Sequence, residues 1–299
     1  MTGPSREGEK MRKTAGHVLV VLAGLVLAMS FAGDLHGLGD SLAVFRPVLF
    51  VGCLLVSALV WRWRVAQFLA VAAGLVAFWH WGGGWLHEGP KQGADVAVYQ
   101  KNMLFLPRDR APLEADIRAS SADFVTLQEV SRVNVPMLEV LRDLYPHQLL
   151  CNAHSVGAVA ILSKTELRGE DCGTRSGIAS AVTQIGARDV HVISVHLHWP
   201  WPYAQRQHAI DLIANLAPIE GGVTLVGGDF NMVASGRSLA WFEAATGTAR
   251  VGPNLRTFDL FGYPLGIDHI LATGGTGALS VRPQLGADHF GLLAYIEFP

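Results

Sequence analysis

The sequence predicts an α+β domain with helices packed outside sheets, preceded by an apolar amino-terminal segment that reads as three membrane-crossing helices. The 299-residue chain is unusually apolar, with mean hydropathy +0.31 and only 16% charged residues. That apolarity concentrates before residue 86, in three runs: His17 to Ala32, Val48 to Val60 (reaching back to Leu42 if Arg46 is tolerated) and Val65 to Trp81. Beyond them, short strand-like runs alternate with stretches of helical periodicity.

The runs are short beside the roughly 20 apolar residues that cross a hydrocarbon core, although about 17 can suffice. They follow one another closely, separated by DLHGLGDS and by Arg62-Trp63-Arg64, and so read as a compact transmembrane anchor over residues 14–85 that contacts the lipid bilayer. Arg6, Lys10, Arg12 and Lys13 precede the first run, and Arg62 and Arg64 separate the second from the third. Both basic groups are therefore expected in the cytoplasm, with residues 1–13 as a cytoplasmic terminus and the region after residue 85 periplasmic or extracellular. Trp61, Trp63, Trp79, Trp81 and Trp85 fall at helix ends, where indole rings favour the membrane interface. The basic start and Ser30-Phe31-Ala32 before Gly33 also resemble a cleavable signal peptide. Cleavage would leave two crossings and deliver the downstream domain to the same side.

A hydrophilic Gly/Pro linker, residues 86–93, leads into a domain over residues 94–299. There ADVAVYQKNMLF reads as a strand, PLEADIRASSA as a helix, DFVTLQEV as a strand and VPMLEVLRDLY as a helix. HQLLC, VGAVAILSK, ASAVTQI and VHVISVHLH are strands, AQRQHAIDLIANL repeats apolar residues at helical spacing, and VTLVGGD, GIDHILA and LLAYIEF complete the sheets. Residues 91–299 hold 16 Lys plus Arg against 20 Asp plus Glu, a net charge of −4, so the domain lacks the positive excess of a nucleic-acid-binding surface. Cys151 and Cys172 are the two cysteines of this domain; export permits a bond between them, and two unpaired core residues are the alternative.

Several strands end in residues that bind metals or move protons: Asn102 after AVYQK, Glu129 after FVTLQ, His196 in VISVHLH, Asp229 and Asn231 in VGGDFN, Asp268 in GIDHIL, and Asp288 and His289 in GADHFG. A turn alone would explain GGDFN, because Gly, Asp and Asn are the commonest turn residues. Together, however, strand-terminal polar groups converge where loops build a site on a rigid scaffold. Hard cations choose such oxygen donors, and no cysteine cluster points to zinc, although His196 and His198 share a strand face.

The ordered series NM at 102, QE at 128–129, SVHLH at 194–198, GGDFN at 227–231, IDHI at 267–270 and ADHFG at 287–291 resembles the endonuclease/exonuclease/phosphatase superfamily. The resemblance implies a four-layer α/β/β/α sandwich with a phosphoesterase site that depends on Mg²⁺ or Mn²⁺. It implies that Glu129 binds the metal with help from Asn102, and from Asp288 if a second ion is present. Asp229 would activate water, Asn231 contact a phosphoryl oxygen, and His289, held by Asp268, stabilise developing charge, with His196 assisting. The tract Trp199-Pro200-Trp201-Pro202-Tyr203 should overhang the site as a substrate-binding loop, and Arg206 could reach a phosphate. The expected substrate is a phosphate ester: a lipid headgroup, a small phosphoester or extracellular nucleic acid. No protein partner is predicted. A membrane-tethered binding module that kept the fold without catalysis is the rival reading.

Overall fold

The computed structural model describes residues 6–82, 93–152, 156, 158–214, 216 and 222–299. The chain divides into two compact units, Met1–Leu86 and His87–Pro299.

Among the described residues, the first unit has four helices: α1 (Arg6–Met29), α2 (Gly37–Val44), α3 (Arg46–Leu59) and α4 (Arg64–Gly82). Arg46 is not absorbed into a long apolar helix. Its guanidinium turns back to the hydroxyl and carbonyl of Ser30 and covers the Phe31 ring at 4.1 Å. With Pro47 in its first turn, α3 starts afresh there, and α2 and α3 meet at 76°. The expected three complete spans are therefore corrected: among the described residues α1 alone is long and apolar enough to cross a membrane, or two spans are present if the bent pair is counted as one. The 14 residues of α3 rise only about 21 Å, short of a hydrocarbon core of roughly 30 Å, and the apolar part of α4, Arg64–Phe78, is short as well. Helix α4 turns small residues inward and large ones outward: Ala66 and Ala73 are 0% exposed, whereas Phe68 and Phe78 are 76% and 78% exposed. Trp61 and Trp63 lie in the turn between α3 and α4, and Trp79 and Trp81 in the last turns of α4. Trp85 and linker residues 86–92 fall outside the described residues.

The second unit is an α+β sandwich. Its elements are β1 (Val96–Asn102), α5 (Ala111–Ser120), β2 (Phe124–Gln128), α6 (Val135–Val140), β3 (His147–Cys151), β4 (Val159–Ser163), β5 (Arg168–Asp171), β6 (Ile178–Ile185), β7 (Arg188–His196), α7 (Gln205–Ile213), β8 (Val223–Asp229), α8 (Arg237–Thr246), β9 (Ala249–Arg250), β10 (Phe258–Leu260), β11 (Tyr263–Leu265), β12 (Asp268–Ala272), β13 (Gly277–Arg282) and β14 (Gly291–Ile296). One six-stranded sheet runs β13-β14-β1-β2-β4-β3 and the other β5-β6-β7-β8-β12-β9, while β10 and β11 form a separate hairpin. Side chains alternate as a strand dictates: Val96 and Val98 of β1 join the core between the sheets, and Ala97 and Tyr99 join a second core with Leu113 and Ile117 of α5. Every strand expected from the sequence is present. The short or polar β5, β9, β10, β11 and β13 were not expected, because two to six residues with little alternation carry no period to read, and the ten-residue helix α8 was not expected either. Cys151, at the end of β3, and Cys172, just past β5, form a disulfide that ties one sheet to the other.

Two glycines let β8 lie deep in the sandwich. A Cβ on Gly227 would come within 2.2 Å of the Thr126 hydroxyl on the facing sheet, and one on Gly228 within 2.4 Å of the Val195 carbonyl. A backbone carbonyl cannot step aside. Gly228→Ala is therefore expected to destabilise the protein by about 1–3 kcal/mol, as overpacking does, read as a lower midpoint in denaturant unfolding of the full chain in detergent.

Candidate active site

Strand register assembles the site. Parallel pairing of β7 with β8 sets His196 opposite Asp229, and antiparallel pairing of β8 with β12 sets Asp229 opposite Asp268. On the facing sheet, β1 beside β2 sets Asn102 opposite Gln128. The two rows meet across the sandwich. Asn102 Nδ2 donates to Asp229 Oδ2 at 2.9 Å and to Glu129 Oε1 at 3.1 Å. Gln100 Nε2 donates to Asp268 Oδ1 at 2.9 Å and to Gln128 Oε1 at 2.7 Å, and Gln128 in turn donates to the Ser194 hydroxyl at 3.1 Å. Gln100, Gln128 and Ser194 were not singled out from the sequence. The i, i+2 spacing of Gln100 and Asn102 on one strand face was the available signal.

The strand exits are unusual. Glu129 and Asn231 have φ of 57° and 46°, a left-handed conformation that costs a non-glycine residue roughly 1–3 kcal/mol and persists only when its surroundings hold it. Glu129 is held by the Phe105 N–H at 2.8 Å on Oε2. Asn231 donates its backbone N–H to Asp229 Oδ1 at 2.8 Å and its side-chain N–H to the Leu197 carbonyl at 2.8 Å. Its buried Oδ1 is left without a partner. The free atom is thus an acceptor, suited to water or a cation, whereas contact with a phosphoryl oxygen would use the second amide N–H, which lies only 3.5 Å from Asp229 Oδ2.

His289 Nδ1 donates to Asp268 Oδ2 at 2.8 Å, and its Nε2 lies 3.7 Å from Asp229 Oδ2. Thr257 also hydrogen-bonds Asp268. Burial alone would favour the neutral ring of His289, but the charges of Asp268 and Asp229 outweigh it and hold the imidazole up at about 10. Burial likewise favours the neutral form of Asp268, yet the charge and hydrogen bond of His289 bring its carboxyl below the usual range. Asp229 is pushed up to about 7, chiefly by burial, with the imidazolium of His289 opposing and the charge of Asp268 adding to the rise. The result is a fixed ion pair beside a carboxylate poised near neutrality. His196 Nε2 stands 3.7 Å from Asp229 Oδ2 and 3.8 Å from Glu129 Oε1, and burial keeps that ring neutral.

These groups open into a pocket of about 660 Å³. One wall is aromatic: Phe258 lies 4.7 Å from the His289 ring and 5.6 Å from Trp199. Trp199, Tyr203 and Asp288 line the pocket, and Trp201 and Arg206 do not. The Arg206 guanidinium sits 5.6 Å over Trp241, a partner on α8 that the sequence did not indicate. His198 does not pair with His196 as a zinc site would require, but stacks at 3.8 Å on His208, whose Nδ1 accepts the His198 N–H. Asp229, Asp268 and His289 offer ligand atoms within 4.8 Å of one another, yet Asp268 and His289 are spent on each other. The donors that could hold a hard divalent cation are Glu129, Asp229 and the orphaned Asn231 oxygen, all oxygens as such an ion prefers.

The sequence profile described as "Endonuclease/Exonuclease/phosphatase family" matches residues 99–289. No curated protein matches the chain at a significant level. Among solved structures, a mutant beta toxin from Staphylococcus aureus with bound magnesium ions is similar at TM-score 0.54 and 16% identity, covering 68% of this chain and 100% of its own. A family protein from Leptotrichia buccalis is similar at 0.54 and 17% identity, covering 68% and 100%. A humanized D. rerio TDP2 is similar at 0.52 and 14% identity, covering 67% and 97%. At these identities the likeness is one of fold.

In the metal-free protein, the His289 ring followed by NMR is expected to titrate near 10 rather than near the ordinary histidine value of about 6.5. Asp268→Asn removes the largest charge holding the proton, so the titration should move to lower pH; an unmoved midpoint would contradict the pairing.

Proposed function

Because the chain belongs to the endonuclease/exonuclease/phosphatase family, we propose that it is a membrane-anchored phosphoesterase, dependent on Mg²⁺ or Mn²⁺, that hydrolyses a phosphate ester with activated water. The observation that carries this reading is the Asp268–His289 pair aimed at Asp229, with Glu129 on the far side of Asn102.

Asp229 orients the attacking water and accepts its proton, a task suited to a carboxylate raised towards neutrality. Asn231 Oδ1 accepts the second hydrogen of that water or faces the cation. Asp268 fixes the tautomer of His289 and sustains its charge. His289 places an N–H toward the developing negative charge on phosphorus, and His196 provides a second imidazole on the opposite flank. Glu129 and Asp229 would hold the cation, with Asn102 steadying both carboxylates and Asp288 available for a second ion. When bound, the cation supplies positive charge to the phosphoryl oxygens. The magnesium bound by the structurally similar beta toxin supports this choice of ion. Trp199, Tyr203 and Phe258 offer apolar surface to the organic part of the substrate.

A lipid headgroup or other small phosphoester suits this site better than a nucleic acid. The domain carries a net charge of −4, and no Lys or Arg is among the described residues lining the pocket. Extracellular nucleic acid is the second substrate reading, and a non-catalytic binding module the second class of function. The membrane reading is supported by α1, by the outward-facing Phe68, Leu75 and Phe78, and by the basic residues that flank the first unit's helices. It takes the whole of residues 14–85 as anchor, with the catalytic domain periplasmic or extracellular, where the Cys151–Cys172 bond would persist.

The full chain in detergent should hydrolyse bis-p-nitrophenyl phosphate or p-nitrophenyl phosphate with Mg²⁺ or Mn²⁺ and lose this activity in EDTA. Asp229→Ala and His289→Ala should each lower kcat by about 10²–10⁴-fold; a rate indifferent to both would sink the enzymatic reading. Glu129→Gln should raise the metal concentration needed for half-maximal activity by about 10- to 100-fold.

In cells, the protein should stay with membranes after alkaline carbonate washing. A reporter fused after Pro299 should be active outside the cytoplasm, and activity confined to the cytoplasm would reverse the orientation.

A further inference from the structure

Lys101 lies between two site residues, Gln100 and Asn102, yet strand alternation turns it to the other face of the sheet. Its side chain is fully buried. Burying an ammonium is costly unless it is paired, so such a lysine normally faces a carboxylate. Here Asp116, on the same face, is taken by Tyr99 at 2.7 Å and by Arg282. Lys101 Nζ instead donates to two main-chain carbonyls, that of Pro283 at 3.2 Å and that of His289 itself. Those carbonyls stand at the two ends of the segment that carries Asp288 and His289. Within the segment, Gln284 donates to the Asp288 carbonyl at 2.9 Å, and the Ala287 N–H returns to the Gln284 carbonyl at 3.0 Å.

We propose that Lys101 is the positioning residue for His289: its amino group clasps both ends of segment 283–289 and sets where the imidazole enters the pocket. The other supports of His289 act on its ring or on the next residue. Asp268 holds Nδ1, and the Phe290 N–H bonds the Thr257 carbonyl. Only the lysine grips the backbone of His289 among the hydrogen bonds of the described residues. An apolar side chain of similar length would fill the same space without the desolvation cost and would leave the loop unclasped.

This inference rests on the phosphoesterase reading, and the test separates the two. The metal-dependent rate of bis-p-nitrophenyl phosphate hydrolysis by the full chain is compared for wild type, Lys101→Met, His289→Ala and the double variant, with thermal unfolding of each. Lys101→Met should keep its folding transition and lose about 10- to 100-fold in kcat, as small displacements of a reacting group do, with little change in KM. In the His289→Ala background the same change should cost nothing further, because a residue acting through His289 has nothing left to position. The low-field Nδ1 proton of the His289–Asp268 pair should also shift or broaden in Lys101→Met. Equal losses in both backgrounds, or a fully active Lys101→Met, would overturn the proposal. Lys101→Gln, which keeps an uncharged donor one bond shorter, guards against a folding defect; if both variants are unfolded, the lysine serves the fold and the proposal fails. A wild type without metal-dependent hydrolysis would instead refute the phosphoesterase reading.

Discussion

Everything at the mouth of this sandwich depends on carboxylates that receive their hydrogen bonds from neutral amides on the opposite sheet. Asp229 and Asp268 are buried neighbours across β8 and β12, and two adjacent charges without water would repel strongly. Asn102 and Gln100 reach over from β1 to satisfy one each, and an amide does this without quenching the charge. The remaining asymmetry comes from His289, which bonds Asp268 directly and Asp229 only at a distance. One carboxylate is thereby committed to an ion pair, while the other is left with a raised proton affinity. Two residues of the same type take different roles because of what stands 3 or 4 Å away.

Other bonds explain why strain is tolerated at the strand exits. Glu129 and Asn231 both leave their strands in a left-handed turn, Glu129 pinned by the Phe105 N–H and Asn231 by the bond its amide donates to the Leu197 carbonyl, each beyond the end of the neighbouring strand. A turn made by glycine would relieve the backbone and forfeit the side chain. Gly227 and Gly228, four and three residues before Asn231, serve a different need, which is close approach of strands rather than freedom of φ.

The GGDFN stretch shows how far a sequence can be read. A turn and a chemical site were competing accounts of it, and the structure has both: Asp229 closes a turn with the Asn231 N–H and faces His289. The long strands and helices of the sandwich, and the convergence of Asn102, Glu129, His196, Asp229, Asp268 and His289, were legible because alternation and motif order are local or ordered properties. The meaning of Lys101 was not, since it depends on a segment more than 180 residues away. Trp201 and Arg206 do not line the pocket, and hydropathy and motif order could not have shown it: a side chain of suitable chemistry near a site need not face it. In the amino-terminal unit, apolar runs were visible, but the break that Arg46 imposes comes from its bonds to Ser30, which hydropathy does not register.

The placement of β14 has a consequence for timing. This strand, Gly291–Ile296, lies between β13 and β1 in its sheet, and β1 is the strand that brings Gln100 and Asn102 to the carboxylates. His289 immediately precedes it. A nascent chain that has already made Glu129, Asp229 and Asp268 still lacks its imidazole and an edge of β1, so those side chains remain unassembled until the last strand slots home. The pocket is therefore completed only when β14 pairs with β1 and β13, the residues of its other walls having been made long before.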